Sequence, residues 1–431
     1  MGEVMRKPDK PLQVNPFRLS QPMGAALAFL GIDRCMPLMH GGMGCTSFTK
    51  VFLTRHFCEP IAIQTTAVTD VTAVLDGGDG SIVEAVQNIT KKVAPSLIGL
   101  HSTGLTETKG DDLRGVASQV DYPLVYVHST DYEGGLESGW GKTTKALIEQ
   151  LVEPTTATRT DKAVLLPHVS LTPIEVEKLK EFVVLFGFEV HALPDLSTSL
   201  DGHLGEKQSA LSSGGTTVEV ISELADAGLV LSVGDSMQPS AAALLKKNPS
   251  MSHLHLNHVQ GLSATDELAS ALLEASGLEQ PPPSVVRWRK RLQDAMLDSH
   301  FSLGQTRILL VGEPDFLAGA GKVLSEAGAR ITLALSTVDS PQLNNIPADR
   351  VRVGDLEDAE ALQEDYDLIV GNCHTEALAH RFHKGLVLRG YPSWEVVGNQ
   401  LQNDLLYEGG AYFLCEVANA AEHMRAAKHK F

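Results

Sequence analysis

The sequence is poor in the devices that staple small secreted or metal-bound domains. Its five cysteines, Cys35, Cys45, Cys58, Cys373 and Cys415, are odd in number and none forms a Cys-x-x-Cys pair. That pattern excludes a disulfide framework and a zinc ribbon and points to a reducing compartment. Positive charge is also scarce: 35 Lys and Arg against 53 Asp and Glu leave a net charge of -18, which opposes binding to a phosphate backbone, so no nucleic-acid partner is expected. No apolar run approaches the ~20 residues needed to span a bilayer. The opening Met1-Gly-Glu-Val-Met-Arg-Lys-Pro-Asp-Lys10 holds no apolar signal region, so the expectation is a soluble, cytoplasmic protein with no membrane contact.

What is present is enough apolar material for several cores. At 431 residues and 43% hydrophobic content, the chain suits two or three α/β domains. Strand-like and helix-like segments alternate from Met23 to His128, with strands expected at Met36 to His40, Ser96 to Ser102 and Pro123 to His128. The alternation resumes with a strand from Ala163 to His168. Thr172-Pro-Ile-Glu175 then places a helix N-cap, a first-turn proline and a capping-box glutamate in order. A helix is expected from Thr217 to Ala227 and a strand from Leu229 to Val233. Pro281-Pro-Pro283 fixes three φ angles without backbone donors and reads as a linker, followed by a bridging helix from Ser284 to Leu297. Its basic residues Arg287, Arg289, Lys290 and Arg291 read as a solvated face rather than a docking surface. The expected fold class is α/β, three Rossmann-like domains with mostly parallel sheets, over residues 1–160, 161–283 and 284–431.

One stretch carries chemistry. Gly41-Gly-Met-Gly-Cys-Thr-Ser-Phe48 sets a lone cysteine among glycines just before a helix-like run. Glycines let the backbone approach a bulky inorganic group, and a helix N-terminus favours negative charge. Cys45 is therefore a candidate metal ligand, although free cysteines also serve as small apolar fillers. A cubane iron-sulfur cluster wants four cysteines, so one thiol requires help from elsewhere.

Three segments around it, Ser20-Gln-Pro-Met-Gly-Ala-Ala-Leu27, Met36-Pro-Leu-Met-His-Gly-Gly-Met-Gly-Cys45 and Gly104-Leu-Thr-Glu-Thr-Lys-Gly-Asp-Asp112, resemble the amino-terminal domain of nitrogenase component 1 subunits. Leu193-Pro-Asp-Leu-Ser-Thr-Ser-Leu-Asp-Gly-His203, Ser213-Gly-Gly-Thr-Thr217, Gly234-Asp-Ser-Met237 and Asp294-Ala-Met-Leu-Asp-Ser-His300 extend the likeness over nearly the whole chain. In the beta subunit of that family three cysteines of this domain serve the P-cluster. Here Ser20 replaces the first, Cys45 matches the second, and Gly104 stands at the third. The pattern is similar to that of the family's cofactor-assembly subunits. The resemblance implies an α2β2 heterotetramer with a NifE-like subunit that contributes three cysteines, with Cys45 as the fourth ligand of a 4Fe-4S cluster at the interface. It further implies a scaffold or maturase role in FeMo-cofactor assembly rather than nitrogen reduction, and no catalytic residue of this chain's own. The precursor of the FeMo-cofactor would come from NifB, sit mainly on the partner, be acted on by the Fe protein NifH, and pass to apo-nitrogenase. The alternatives within the resemblance are a vanadium-system homologue or a catalytic reductase subunit, of nitrogenase or of protochlorophyllide reductase. Ser20 and Gly104 weigh against nitrogenase itself.

Other constellations give weaker readings. Gly319-Ala-Gly-Lys322 hints at a phosphate loop, but Phe316 and Val323 stand where its first glycine and its Ser or Thr belong, and Leu324 stands where a dinucleotide fingerprint needs glycine. A closely packed helix is expected there. Cys373, His374, His380 and His383 hint at zinc, yet Asn372 as a helix cap is the simpler reading. Cys35 and Cys58 match no ligand position of the family and sit in apolar contexts. His101 and the loop Ser129 to Gly135 are expected near Cys45, behind the ligand rather than among ligands.

Overall fold

The computed structural model describes residues 2–6, 18–57, 60–68, 78–204, 210–394 and 396–428. Its strands are β1 (Glu3–Met5), β2 (Cys35–His40), β3 (Gln64–Thr65), β4 (Leu97–Ser102), β5 (Leu124–Val127), β6 (Arg159–Leu166), β7 (Glu189–Ala192), β8 (Ala227–Val233), β9 (Ser252–Leu256), β10 (Arg307–Val311), β11 (Arg330–Ser336), β12 (Arg350–Val353), β13 (Leu368–Gly371) and β14 (Gly385–Leu388). They form three sheets, ordered β3-β2-β4-β5, β7-β6-β8-β9 and β1-β12-β11-β10-β13-β14. Every pairing is parallel. Parallel neighbours need crossovers, and helices laid on both faces bury the strands completely. That is why Cys-Met-Pro-Leu-Met-His in β2 and Leu-Ile-Val-Gly in β13 are buried at every position.

The three strand orders share one consequence. Chain direction across each sheet reverses between β2 and β4, between β6 and β8, and between β10 and β13. Loops leaving the carboxyl ends of such a pair diverge and leave a crevice, the usual ligand position in open α/β sheets. Cys45 follows β2.

Local sequence explains most elements. The helix Pro173–Val184 starts with the expected reciprocal cap, Glu175 N donating to Thr172 Oγ1 at 3.3 Å and Thr172 N to Glu175 Oε2 at 2.9 Å. The proline run ends inside a helix: Pro283 is the first residue of Pro283–Leu303, where a fixed φ and a missing donor cost nothing. That 21-residue helix extends past Leu297 because it packs along the terminal helix Leu406–Lys428. The helix expected from Thr217 to Ala227 is shorter. It covers Val218–Ser222, tightens into a 3-10 turn at Leu224–Asp226, and gives Ala227 to β8, where pairing with β6 claims it.

Close backbone approach joins the first sheet's helices. All ten residues of Gln21–Leu30 are buried. A Cβ on Gly24 would lie 2.2 Å from Leu136 O, and one on Gly139 would lie 2.1 Å from Gln21 O. Only glycine permits the crossing of Gln21–Leu30 with Leu136–Leu151 at this distance. The apolar cores ignore the boundaries between sheets. Phe29 and Trp140 share one cluster with Val164 and Leu193, and Phe182 and Leu231 share another with Leu310 and Phe413. Trp140 adds a hydrogen bond from Nε1 to Pro167 O at 2.8 Å.

Candidate functional site

The site begins where β2 ends. His40 is the last strand residue, Gly41 and Gly42 turn the chain, and Cys45 is the third residue of the helix Met43–Phe57, exposed to solvent. The turn is pinned on all sides by threonines. His40 O accepts from Thr103 Oγ1 at 3.1 Å and Thr106 Oγ1 at 3.0 Å. Gly41 N donates to Thr66 Oγ1 at 3.3 Å, and Gly41 O accepts from Thr65 Oγ1 at 3.1 Å. The His40 ring adds two contacts, Nδ1 with Thr66 Oγ1 and Nε2 with Asp111 Oδ2, both 2.9 Å. Burial lowers the pKa of His40 while Asp111 opposes that shift. A Cβ on Gly41 would lie 2.6 Å from Thr103 Oγ1, whereas one on Gly44 would meet nothing within 4 Å. The backbone before Cys45 is therefore fixed, and the space around the thiol is open.

Ser20 and Gly104, which the resemblance matches to two further cysteine positions of the family, lie on the same edge. Ser20 is the N-cap of Gln21–Leu30, with its hydroxyl making no capping bond. Gly104 opens the helix Gly104–Lys109 behind a Thr103/Thr106 capping box. A chain of contacts links them. Gln21 Oε1 accepts from Thr130 N at 3.3 Å, Gly104 N donates to Asp131 Oδ2 at 3.0 Å, and Thr103 abuts Gly41. Neither Ser20 nor Gly104 brings a thiol. Cys35 lies at the opposite end of β2, fully buried, its thiol pKa pushed well up by desolvation. Cys58 lies outside the described residues. Cys373 lies in the short turn after β13 and Cys415 in the terminal helix Leu406–Lys428. Among the described residues, no three His, Cys, Asp or Glu side chains are arranged to hold a metal ion. A cluster needing four thiolates fits this chain only if Cys45 is one ligand of a shared site.

The surface beside Cys45 is apolar. Met43 is 53%, Phe48 63% and Val51 59% exposed on its helix, and Leu105, on the helix Gly104–Lys109, and Tyr132, on the loop after β5, are exposed as well. The description "Nitrogenase component 1 type Oxidoreductase" belongs to the family whose sequence profile matches residues 20–422. The chain belongs to this family. It is 37% identical to the nitrogenase iron-molybdenum cofactor biosynthesis protein NifN of Rippkaea orientalis, over 96% of this chain and 95% of that protein. Against the protein of the same name from Rhodobacter capsulatus it is 36% identical, over 99% and 94%. Against that of Klebsiella pneumoniae it is 34% identical, over 97% and 93%. Among solved structures, nitrogenase Cp1 at pH 6.5 superposes with a TM-score of 0.91 at 28% identity, covering 97% of this chain and 95% of that one. Nitrogenase Cp1 at pH 5, 14% identical with a TM-score of 0.71 over 97% and 90%, shares the fold. Among the described residues no helix is long and apolar enough to cross a membrane.

Within this nitrogenase-type fold, the remaining sequence candidates take structural places. His101 on β4 is fully enclosed beside Phe29, ring centroids 6.3 Å apart, and desolvation lowers its pKa to about 3. Gly319 and Gly321 lie inside the buried helix Pro314–Glu326, where a Cβ on Gly319 would strike Gln260 Oε1 at 1.3 Å. Asn372 caps the turn Cys373–Thr375 by accepting from His374 N at 3.1 Å. Arg289 pairs with Asp266 through two 2.8 Å bonds, and Arg291 lies over the Trp288 ring at 4.3 Å.

The threonine clamp around His40 and Gly41 escaped sequence reasoning. Four threonines spread over Thr65 to Thr106 carry no local signal, although their clustering before and after two expected strands could have been noted. Also missed was the meeting of the second and third sheets' crevices. There His56, His168, Glu175, Arg389, Tyr391 and Asp404 line a polar cavity of about 30 Å³, a volume suited to one or two waters.

Proposed function

We propose that this chain is the NifN-like member of a cofactor-assembly complex, contributing Cys45 as its single ligand to a 4Fe-4S cluster shared with a NifE-like partner. The observation that carries the reading is the exposed thiol at the reversal point of the first sheet, on a pinned turn; Ser20 and Gly104, matched by the resemblance to the family's two other ligand positions, lie on the same edge. The helix start around Cys45 favours the negative charge of a thiolate-bound cluster. Exposed Met43, Phe48 and Val51 favour burial of that face under a partner, since the core of an interface is apolar. The relatives' names support a role in FeMo-cofactor biosynthesis, with the molybdenum-system relatives favouring that over a vanadium one. When bound, such a cluster supplies one-electron transfer between the complex and a reductant, here the Fe protein. The chain's own work is to hold the thiol in place and to close one side of the interface. Maturation of a precursor held mainly by the partner, its supply by NifB and its delivery to apo-nitrogenase complete the reading.

The test is anaerobic iron and acid-labile sulfide analysis of this chain alone and after co-expression with a NifE-like partner, with Cys45→Ala alongside. Cluster content only in the partnered sample, reduced in Cys45→Ala, is the expected result. Equal content in the lone chain, or an unchanged Cys45→Ala complex, overturns it.

A further inference from the structure

The carboxyl ends of the central strands also bring together four acidic side chains that the cluster reading does not use. Glu137 comes from the helix following β5, Asp235 from the loop after β8, and Glu313 and Asp315 from the loop and helix start after β10. Each sheet supplies at least one. Asp315 is fully buried, and Glu137 and Glu313 are 5% exposed.

Their hydrogen bonds divide them into unlike roles. Asp315 has four donors: Asp235 N at 2.8 Å, Gln342 Nε2 at 3.0 Å, Ser236 Oγ at 2.6 Å and Ser236 N at 3.3 Å. Burial raises the pKa of Asp315, and these four donors oppose that rise by favouring its ionised form. Glu137 Oε1 accepts from Asp315 N at 2.8 Å, so the first sheet's helix caps the third sheet's helix, and Asp315 in turn caps the 3-10 turn of the second. Glu313 Oε2 is buried with no partner among the described residues. An ionised oxygen without a donor, close to a second buried carboxylate, is strongly disfavoured. The charges facing the group oppose the rise only in part. Arg18 faces Glu313, His255 faces Asp235, and His168 packs on Gly234 with its Nδ1 unpartnered and its pKa lowered to about 3, hence uncharged. Burial and the neighbouring Asp315 push Glu313 up to about 8 and raise Glu137 as well.

We propose that the junction of the three sheets is a proton-dependent clasp, closed while Glu313 and Glu137 are protonated around the ionised Asp315 and loosened when alkali removes those protons. The contacts at stake are close. Gly141 would place a Cβ 2.6 Å from Ser236 O, and Gly234 one 2.5 Å from Asp315 Oδ2, so a small separation breaks all of them together. The sign follows from linkage. A buried acid raised above its unfolded value binds its proton more tightly in the closed state. The clasp is thus fully stabilised below about pH 4.5 and weakens as pH rises toward about 8. Each pH unit in that window shifts closing about tenfold, so opening should increase about a hundredfold between about pH 6 and about pH 9. The clasp stands independently of the cluster reading.

The test is hydrogen exchange on the full chain, corrected for intrinsic rates, following the amides of Asp235, Ser236 and Asp315 against core amides of β10. Loss of protection at the three amides alone on going to pH 9, abolished in Glu313→Gln, is the expected result. Wild-type protection that does not change, or a Glu313→Gln protein with the wild-type dependence, overturns the proposal. Infrared spectroscopy keeps the question decidable should Glu313→Gln fail to fold. Glu175, in the separate cavity beside Arg389, is also pushed up to about 8, so the buried neutral carboxyl band is read in a Glu175→Gln chain: present near pH 6 and lost by pH 9 it supports the clasp, and its absence near pH 6 sinks it.

Discussion

Two glycines three residues apart before Cys45 should respond oppositely to the same substitution. Gly44 is the second residue of its helix, has no positive φ, and would place a Cβ with nothing within 4 Å. Gly44→Ala should therefore leave the fold intact or stabilise it by about 0.5 kcal/mol, since alanine loses less entropy in a helix than glycine. Gly41 is the reverse case. Its added methyl would lie 2.6 Å from Thr103 Oγ1 and 2.7 Å from Thr103 Cγ2, and Thr103 cannot rotate away without giving up its 3.1 Å bond to His40 O. Gly41→Ala should cost about 1 to 3 kcal/mol, the range for overpacking a tight site. If Gly44 is glycine because something outside the chain comes close to it, the stable Gly44→Ala protein should still lose cluster iron in the partnered complex. Denaturant unfolding of the lone chain and iron analysis of the complex read the two effects separately. A Gly44→Ala complex with full iron, or a Gly44→Ala chain destabilised by more than about 1 kcal/mol, would refute the reasoning.

Two further outcomes follow from buried charge. Arg389 and Asp404 are both nearly fully buried and paired through bonds of 2.6 and 3.1 Å, while Asp404 N also caps onto Glu175. Arg389→Met should cost about 3 to 5 kcal/mol by stranding Asp404, and Arg389→Met with Asp404→Leu should recover most of it; a single-variant loss under about 1 kcal/mol in urea unfolding would contradict this. His56, His101 and His168 are buried with pKa values lowered to about 3 by desolvation. Their folded forms stay neutral while the unfolded chain takes up protons, so stability present above about pH 6.5 should fall as pH drops toward about 3, and His101→Leu should flatten that slope by up to about 1.4 kcal/mol per pH unit. Identical slopes for His101→Leu and the wild-type chain, measured by unfolding midpoints across the window, would show that His101 is not neutral in the fold.

The sequence by itself determined the α/β class, the alternation of strands and helices, the start of the helix Pro173–Val184, and the singling out of Cys45. Each rests on local rules: apolar runs of strand length, a Thr-Pro-x-Glu cap, and glycines around one thiol. The likeness of scattered segments to nitrogenase component 1 subunits added the family. Tertiary structure decided what depends on partners distant in the chain. Glu3–Met5 is too short to announce a strand, yet it completes the third sheet because β12 offers an unpaired parallel edge. Thr65, Thr66, Thr103 and Thr106 become a clamp only when β2, β3 and β4 lie side by side, and Ser20 and Gly104 share the edge with Cys45 only through Gln21, Asp131 and the loop between them. Glu137, Asp235, Glu313 and Asp315 come from three separate stretches of the sequence. Their chemistry arises because three sheets bring their carboxyl ends to one buried point, where water no longer screens one charge from the next.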